Sequence, residues 1–363
     1  MKVCTISCHN ALNHGARLQA LALLHYLNKQ GHTAEAIDYR PGYLSFAGKL
    51  LYCPGLSLKE WVKLFVRFRQ RRDAILRDKA FAIFSERYLP RTKRVYHTLA
   101  ELQAEPPRAD VYIAGSDQIW NTSFRNGTDA AFYLNFGAPE TKRISYAASF
   151  AVSSLKTECI PFVKKQLERF DEISVRETSG LHILASLSYN GRHVADPVFL
   201  LSAEEWDTLL DCRDHTEPYV LVYDVMGCDT MKRVAKSLAR RYGCKIYAIS
   251  ARRLGYAHKN FPQAAPDRFV ELIRNARCVI SNSFHGTAFA SIYHKFFFVV
   301  DRTDGLNERM HDLLEQFGLR DRLITAETFD GIWDAPISYD FVDEQLQQLI
   351  AASEAFLAQT LHR

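Results

Sequence analysis

A chain of 363 residues is long for one hydrophobic core, so two domains are expected. With 47% of its residues apolar or aromatic it falls outside the disordered class, and a formal charge of +5 suits an anionic substrate or a membrane surface without implying nucleic acid. Its eight cysteines form no CxxC and no Cys/His cluster, which points to reduced, buried thiols and against a disulfide framework or a zinc site. No metal is expected.

The apolar run at 2–7 reads as a first strand. No secretory leader stands ahead of it and no later run is long and apolar enough to span a bilayer, so the expected location is the cytoplasm. Asn13-His14-Gly15-Ala16 is a turn, a helix follows through Leu18, Leu24 and Leu27, and 33–39 is a second strand. This is a βαβ unit without GxGxxG, and its first turn lies where open parallel sheets bind ligands. Residues 59–79 are strongly helical: Trp61, Leu64, Phe65, Phe68 and Ile75 form one face, and Lys59, Lys63, Arg67 and Arg71 run along another. Two readings fit, a peripheral helix that meets anionic lipid or a lipid-linked diphosphate, and an ordinary solvated basic face.

A buried strand at 111–114 ends in Gly115-Ser116-Asp117-Gln118, a segment that either presents donors to a ligand or merely caps the next turn. Residues 143–151 and 172–175 are strands, and the second ends at Arg176, placed to clamp a carboxylate or phosphate or else to join surface ion pairs with Glu177. After Asp196-Pro197 the polar, acidic stretch 201–218 marks the domain boundary. Four strands then alternate with helices, at 219–225, 245–250, 278–280 and 296–300, which specifies a doubly wound parallel domain. The third strand runs into Ser281-Asn282-Ser283-Phe284-His285-Gly286-Thr287, a tight turn and a helix start. A helix N-terminus seats anions, and imidazole is suited to proton transfer near neutral pH; a capped turn with a hydrogen-bonded His fits the same residues. The expected organisation is an N-terminal Rossmann-like domain over 1–205, a second over 206–335, and a C-terminal helix within 336–363 that packs back on the first.

Taken in order, Asn13–Ala20, Ile37–Pro41, Gly115–Gln118, Ser174–Glu177, Asp196-Pro197 and Ser281–Gly286 resemble the landmarks of the polysaccharide pyruvyl transferase family. Two positions depart from its pattern: His14 stands where an aromatic or other residue is commoner, and Arg17 takes an apolar position. The resemblance implies an α/β fold of two facing Rossmann-like domains, a GT-B-like architecture. It also implies phosphoenolpyruvate as donor substrate, no cofactor, and a sugar acceptor, lipid-linked in some members, which receives a cyclic pyruvate ketal in surface-polysaccharide or glycolipid-precursor biosynthesis.

On that reading His285 and Asp117 are the catalytic candidates. His285 serves as acid or base; Asp117 orients an acceptor hydroxyl, acts as base, or only caps its turn. Arg176, Ser283, Gly286, Thr287, Lys295 and Arg302 are candidates for the donor, with Arg309 beside them. Asn13, His14, Gly15, Ser116 and Gln118 are candidates for the acceptor. The rivals are a nucleotide-sugar glycosyltransferase on the same architecture and a non-catalytic binding protein that keeps the fold.

Overall fold

A computed structural model of the chain describes residues 1–44, 58–302, 307–325 and 336–361, with the side chains of 58–68 left out. The first half builds a five-stranded parallel sheet from β1 (Lys2–Ile6), β2 (Thr33–Tyr39), β3 (Arg91–Tyr96), β4 (Val111–Ala114) and β5 (Lys142–Ser145), in the order β3-β2-β1-β4-β5. A parallel pair, β6 (Ser174–Val175) and β7 (Arg192–His193), extends that half. The second sheet holds β8 (Tyr219–Tyr223), β9 (Lys245–Ile249), β10 (Lys259–Asn260), β11 (Cys278–Ser281), β12 (Phe296–Val300) and β13 (Leu323–Ile324), in the order β10-β9-β8-β11-β12-β13, parallel throughout. The molecule is thus α/β, with two Rossmann-like sheets in a GT-B-like pair.

The helices are α1 (His14–Lys29), α2 (Leu58–Tyr88), α3 (Leu99–Ala104), α4 (Ile160–Leu167), α5 (Thr178–Ser186), α6 (Ala203–Leu210), α7 (Asp229–Tyr242), α8 (Pro266–Arg274), α9 (Phe284–Ile292), α10 (Glu308–Gln316) and α11 (Tyr339–Leu361). Apolar clusters lie on both faces of each sheet, and the largest is shared by the two halves: Leu18 and Leu24 of α1 belong to the same cluster as Phe269 of α8 and Phe289 of α9. Helix α1 is buried along nearly its whole length. A helix buried all round belongs between layers, and α1 fills that position between its own sheet and the second half.

Several elements differ from the sequence-based expectation. The strand expected over 143–151 stops at Ser145, because Ala147 and Ala151 take left-handed φ values of 51° and 54°. The strand expected at 172–175 is confined to Ser174–Val175. Strand β3 was not expected: RTKRVY is charged because it is a sheet edge, where Lys and Arg deter further pairing. Within 201–218, α6 opens with a full capping box, Ser202 with Glu205, and buries Trp206 edge-on against Phe289.

The chain crosses back at its end. Ser353 on α11 accepts a hydrogen bond from the Ala195 amide at 2.8 Å, and the Thr360 carbonyl accepts from Lys142 at the edge of the first sheet. Among the described residues no helix is long and apolar enough to cross a membrane. The basic and aromatic faces expected on the helix near 59–79 rest mainly on Lys59–Phe68, whose side chains lie outside the described residues.

Candidate active site

Each sheet reverses its strand order at one place, between β1 and β4 in the first and between β8 and β11 in the second. Ligands of open α/β sheets bind at the carboxyl ends of strands at such a switch point. Here four segments leave these four strand ends and meet: Asn13-His14 after β1, Asp117-Gln118 after β4, Asp224-Val225 after β8 and Ser283–His285 after β11. Together with Arg77, Arg302 and Arg309 they enclose a cavity of about 260 Å³.

The wall from the second half is held by its own hydrogen bonds. Asp224 accepts from the amides of Met226, Gly227 and Cys228 and from Asn282 Nδ2, and Asn282 Oδ1 accepts from the Val225 amide. Asn282 therefore shapes the loop after β8. Ser283 is the N-cap of α9 but makes no side-chain cap bond, so the first-turn amides of that helix are left for an anion.

His285 is 4% exposed. Its Nε2 is buried, 3.6 Å from Asp196 Oδ2, with no nearer hydrogen-bond partner among the described residues. Nδ1 is thus the ring nitrogen able to act on the cavity. A Cβ built on Gly15 would lie 1.8 Å from that Nδ1, so the imidazole occupies the space that only glycine leaves over the first turn of α1.

Asp196 gathers several donors: Arg176 Nη1, Ser116 Oγ at 3.3 Å and the Val198 amide at 3.1 Å. Burial alone would raise its carboxyl, but the charge of Arg176, then the neighbouring His285 imidazole, hold it well below the usual carboxylate range. Arg176 is enclosed by Asp196, by Asp117 at 3.6 Å and by Glu177 at 3.8 Å, and lies over the Phe284 ring. Burial opposes its charge, and the three carboxylates more than restore it.

Asp117 sits in a left-handed backbone conformation, φ 73°, which for a non-glycine residue costs on the order of 1–3 kcal/mol and is common at functional sites. Its Oδ1 faces Arg309 Nη1 at 3.5 Å, and Gln118 lies against the same guanidinium. Burial, followed by the charge of Arg176, pushes Arg309 down to about 10. Arg309 is the buried cation on the cavity wall, whereas Arg176 stands behind it.

Residues 13–304 match the family model described as polysaccharide pyruvyl transferase. The chain belongs to that family. The match takes in Asn13-His14, Asp117-Gln118, Asp224-Val225 and Ser283–His285, the segments that meet at the cavity, whereas Leu12, Arg309 and Met310 of its lining lie outside the matched residues. A comparison with curated proteins found no match. Among solved structures the chain is similar to the UDP-GlcNAc 2-epimerase from Neisseria meningitidis bound to UDP-GlcNAc, at 9% identity over 100% of both chains with a TM-score of 0.49. It is also similar to the Methanocaldococcus jannaschii UDP-GlcNAc 2-epimerase in complex with UDP-GlcNAc and UDP, at 10% identity, 100% of both chains and 0.49. The spinosyn rhamnosyltransferase SpnG gives 11% identity, 100% of both chains and 0.46.

In this pyruvyl transferase family member, His285, Asp117, Gln118, Ser283, Arg302, Asn13 and His14 all line the cavity. Several expected ligands do other work. Lys295 precedes β12 and lies at the amino end of the sheet, opposite the cavity, near Arg274 and Asp207. Thr287 donates to the Ser283 carbonyl inside α9, and Gly286 makes room for Ser281 and Tyr223. Ser116 supports Asp196 from beneath.

Asn13 lines the cavity, but its Oδ1 caps α1, accepting from Gly15 and Ala16. His14 joins the two halves: Nε2 donates to the Ala264 carbonyl at 2.9 Å, and Nδ1 then accepts from Tyr223 Oη at 3.1 Å. Arg176, expected as a clamp for the donor, is paired with Asp196 behind the cavity wall, where a buried carboxylate beneath His285 needs a nearby cation. Sequence reading gave no role to Asp196, Tyr223 or Arg77. Asp196 stood in a quoted motif, Tyr223 was hidden in an apolar strand, and Arg77 was one of many basic residues on a long helix. Among the described residues no cluster of three or more His, Cys, Asp or Glu is arranged to hold a metal ion.

Proposed function

We propose that the chain transfers the pyruvyl group of phosphoenolpyruvate to two hydroxyls of one sugar, leaving a cyclic ketal and inorganic phosphate. The observation that carries this reading is His285, a buried imidazole at a helix N-terminus, backed by Asp196 and set among Arg77, Arg302 and Arg309. A small trianionic donor needs several fixed cations and helix amides, and an enol ether needs a proton delivered to carbon. The cavity, at about 260 Å³, suits a small donor better than a nucleotide sugar.

In the proposed sequence, His285 Nδ1–H protonates the methylene carbon of phosphoenolpyruvate, which becomes a methyl group while the neighbouring carbon gains oxocarbenium character. One sugar hydroxyl forms a C–O bond there and its proton returns to His285. The second hydroxyl forms the other C–O bond as the C–O bond to phosphate breaks, and its proton leaves with the phosphate. Asp196, 3.6 Å from Nε2, favours a proton on that nitrogen and so steadies the ring and the tautomer through both proton transfers. Asp117, on the opposite wall, orients the acceptor hydroxyls. Arg309 and the α9 amides hold the donor anion, with Arg302 and Arg77 beside them. The sugar is proposed as a precursor or polymer unit of surface glycans, met in the cytoplasm.

The test is incubation with phosphoenolpyruvate and acceptors bearing galactose, mannose or N-acetylhexosamine. Phosphate release together with an acceptor mass increase equal to a pyruvate ketal supports the reading. Release of a nucleotide from a nucleotide sugar, with phosphoenolpyruvate untouched, overturns it in favour of glycosyl transfer.

A further inference from the structure

A second cavity, of about 540 Å³, lies in the first half on the other side of the β1–α1 segment. The partition is thin. Asn10 and Asp78 line this second cavity, while Leu12, Asn13 and Arg77 line the first. Arg77 also donates to the Leu12 carbonyl at 3.1 Å, which ties α2 to the partition.

The inner end of this cavity is built of buried cationic and imidazole groups whose hydrogen bonds are incomplete. Arg17 is 5% exposed; its Nη1 donates to Ser85 Oγ and its plane lies over Phe81, but Nε has no partner among the described residues. Burial pushes Arg17 down to about 10, the mark of a charge kept from water without full compensation. His9 is 2% exposed; Nδ1 has no partner among the described residues, and Nε2 is 3.7 Å from Asp38 Oδ1.

The nearby carboxylate is already committed. Asp38 takes a two-pronged bond from Arg40 at 2.6 and 2.7 Å and faces Arg91 at 3.4 Å. Among the described residues the inner end therefore holds Arg17, Arg40 and Arg91 with Asp38 as its buried carboxylate, while the exposed Asp78 is the larger opposing charge on Arg17. Asp78 and Glu86 also line the cavity, but both are exposed, and charges in contact with water are screened. Two buried polar side chains with open valences, inside a positive pocket, call for an oxyanion of several oxygens.

We propose that this cavity is a second anion site, which takes a phosphoryl group on Arg17 and His9 with Arg40 and Arg91 beside it. Two sources share that chemistry, a phosphate carried by the acceptor and free phosphate. Neither alters the assignment of the cavity, which does not depend on pyruvyl transfer.

The test is calorimetric titration of the full chain with inorganic pyrophosphate. Two binding events are expected. Arg17→Leu, whose side chain can still pack on Phe81, weakens one event at least tenfold and leaves the other within twofold; Arg309→Leu does the reverse. Circular dichroism checks the fold, and His9→Asn probes the same cavity if Arg17→Leu does not fold. A single event in the unaltered chain that Arg309→Leu abolishes overturns the proposal. So do Arg17 and His9 variants that leave both affinities within twofold. These readouts need no turnover, so their failure is distinct from failure of the proposed reaction. The source is read separately, with the second cavity assigned in either case. A phosphate on the acceptor makes Arg17→Leu raise the KM of a sugar 1-phosphate and not that of the plain sugar. Free phosphate makes the same variant relieve inhibition by inorganic phosphate.

Discussion

His285 can act on the cavity only through Nδ1, because Nε2 is turned to Asp196. This makes the two residues separable by experiment. His285→Gln keeps a hydrogen-bonding group but carries no proton, so turnover should fall by roughly 10²–10⁴ with the fold intact. Asp196→Asn preserves shape while removing the carboxylate that fixes the imidazole, and its loss of kcat should be smaller. In the His285→Gln background Asp196→Asn should cost no further activity, since it acts through that ring. Independent, multiplying losses in the double variant would show that Asp196 works by another route. Arg309→Lys keeps the charge but loses the planar fork, so it should raise the KM for phosphoenolpyruvate more than that for the acceptor. An effect on the acceptor alone would reverse the placement of the two substrates.

At the scale of elements, the first turn of α1 and the first turn of α9 approach so closely that glycine is required between them. Gly15→Ala would set a methyl group 1.8 Å from His285 Nδ1, so the ring or the helix must move. A displacement of about 1 Å at a reacting group costs on the order of 10²-fold in rate, and kcat for Gly15→Ala should fall by that much while circular dichroism is unchanged. Unaltered turnover would mean that the two helices are not this close in the working enzyme. The sequence made both elements visible, since Asn13 reads as a cap and His285 as the start of a helix after a buried strand. It could not show that Gly15 and His285 meet, because no local pattern encodes a contact across 270 positions. The same limit explains Arg176. A strand-end arginine reads as an anion clamp, and no local pattern shows that the fold also brings Asp196, Asp117 and Glu177 around it. Long periodic helices and apolar strands were legible, whereas the edge strand β3 was masked by the charges that suit an edge.

For the whole molecule, the shared core and the contacts across the cleft make the two halves one unit, and those contacts give its stability a pH dependence. Asp73 on α2 accepts from Arg253 at 2.8 and 3.0 Å and from Gln263 at 2.8 Å, while His14 bonds to Tyr223 and Ala264. Burial, then the charge of Arg77, lowers His14 well below the usual histidine range, and burial likewise lowers His9. The folded state therefore binds fewer protons than the unfolded chain, so stability rises with pH. It is full above the unfolded histidine value of about 6.5 and declines below it, by up to about 1.4 kcal/mol per pH unit for each histidine. Asp196 and Asp38 are held low instead, so their contribution is full above the unfolded value of about 3.9 and is lost only as pH falls further. Acid should thus weaken the protein in two stages, the upper one belonging to histidine. His14→Gln retains a neutral hydrogen-bonding group but cannot titrate, so it should be less stable at pH 8 by about 1–3 kcal/mol through imperfect pairing of the buried partners. Between pH 6.5 and 5 its stability should fall less steeply than that of the unaltered chain. Urea unfolding at pH 8, 6.5 and 5 measures both effects, and equal slopes for the two proteins would remove His14 as the source of the upper stage.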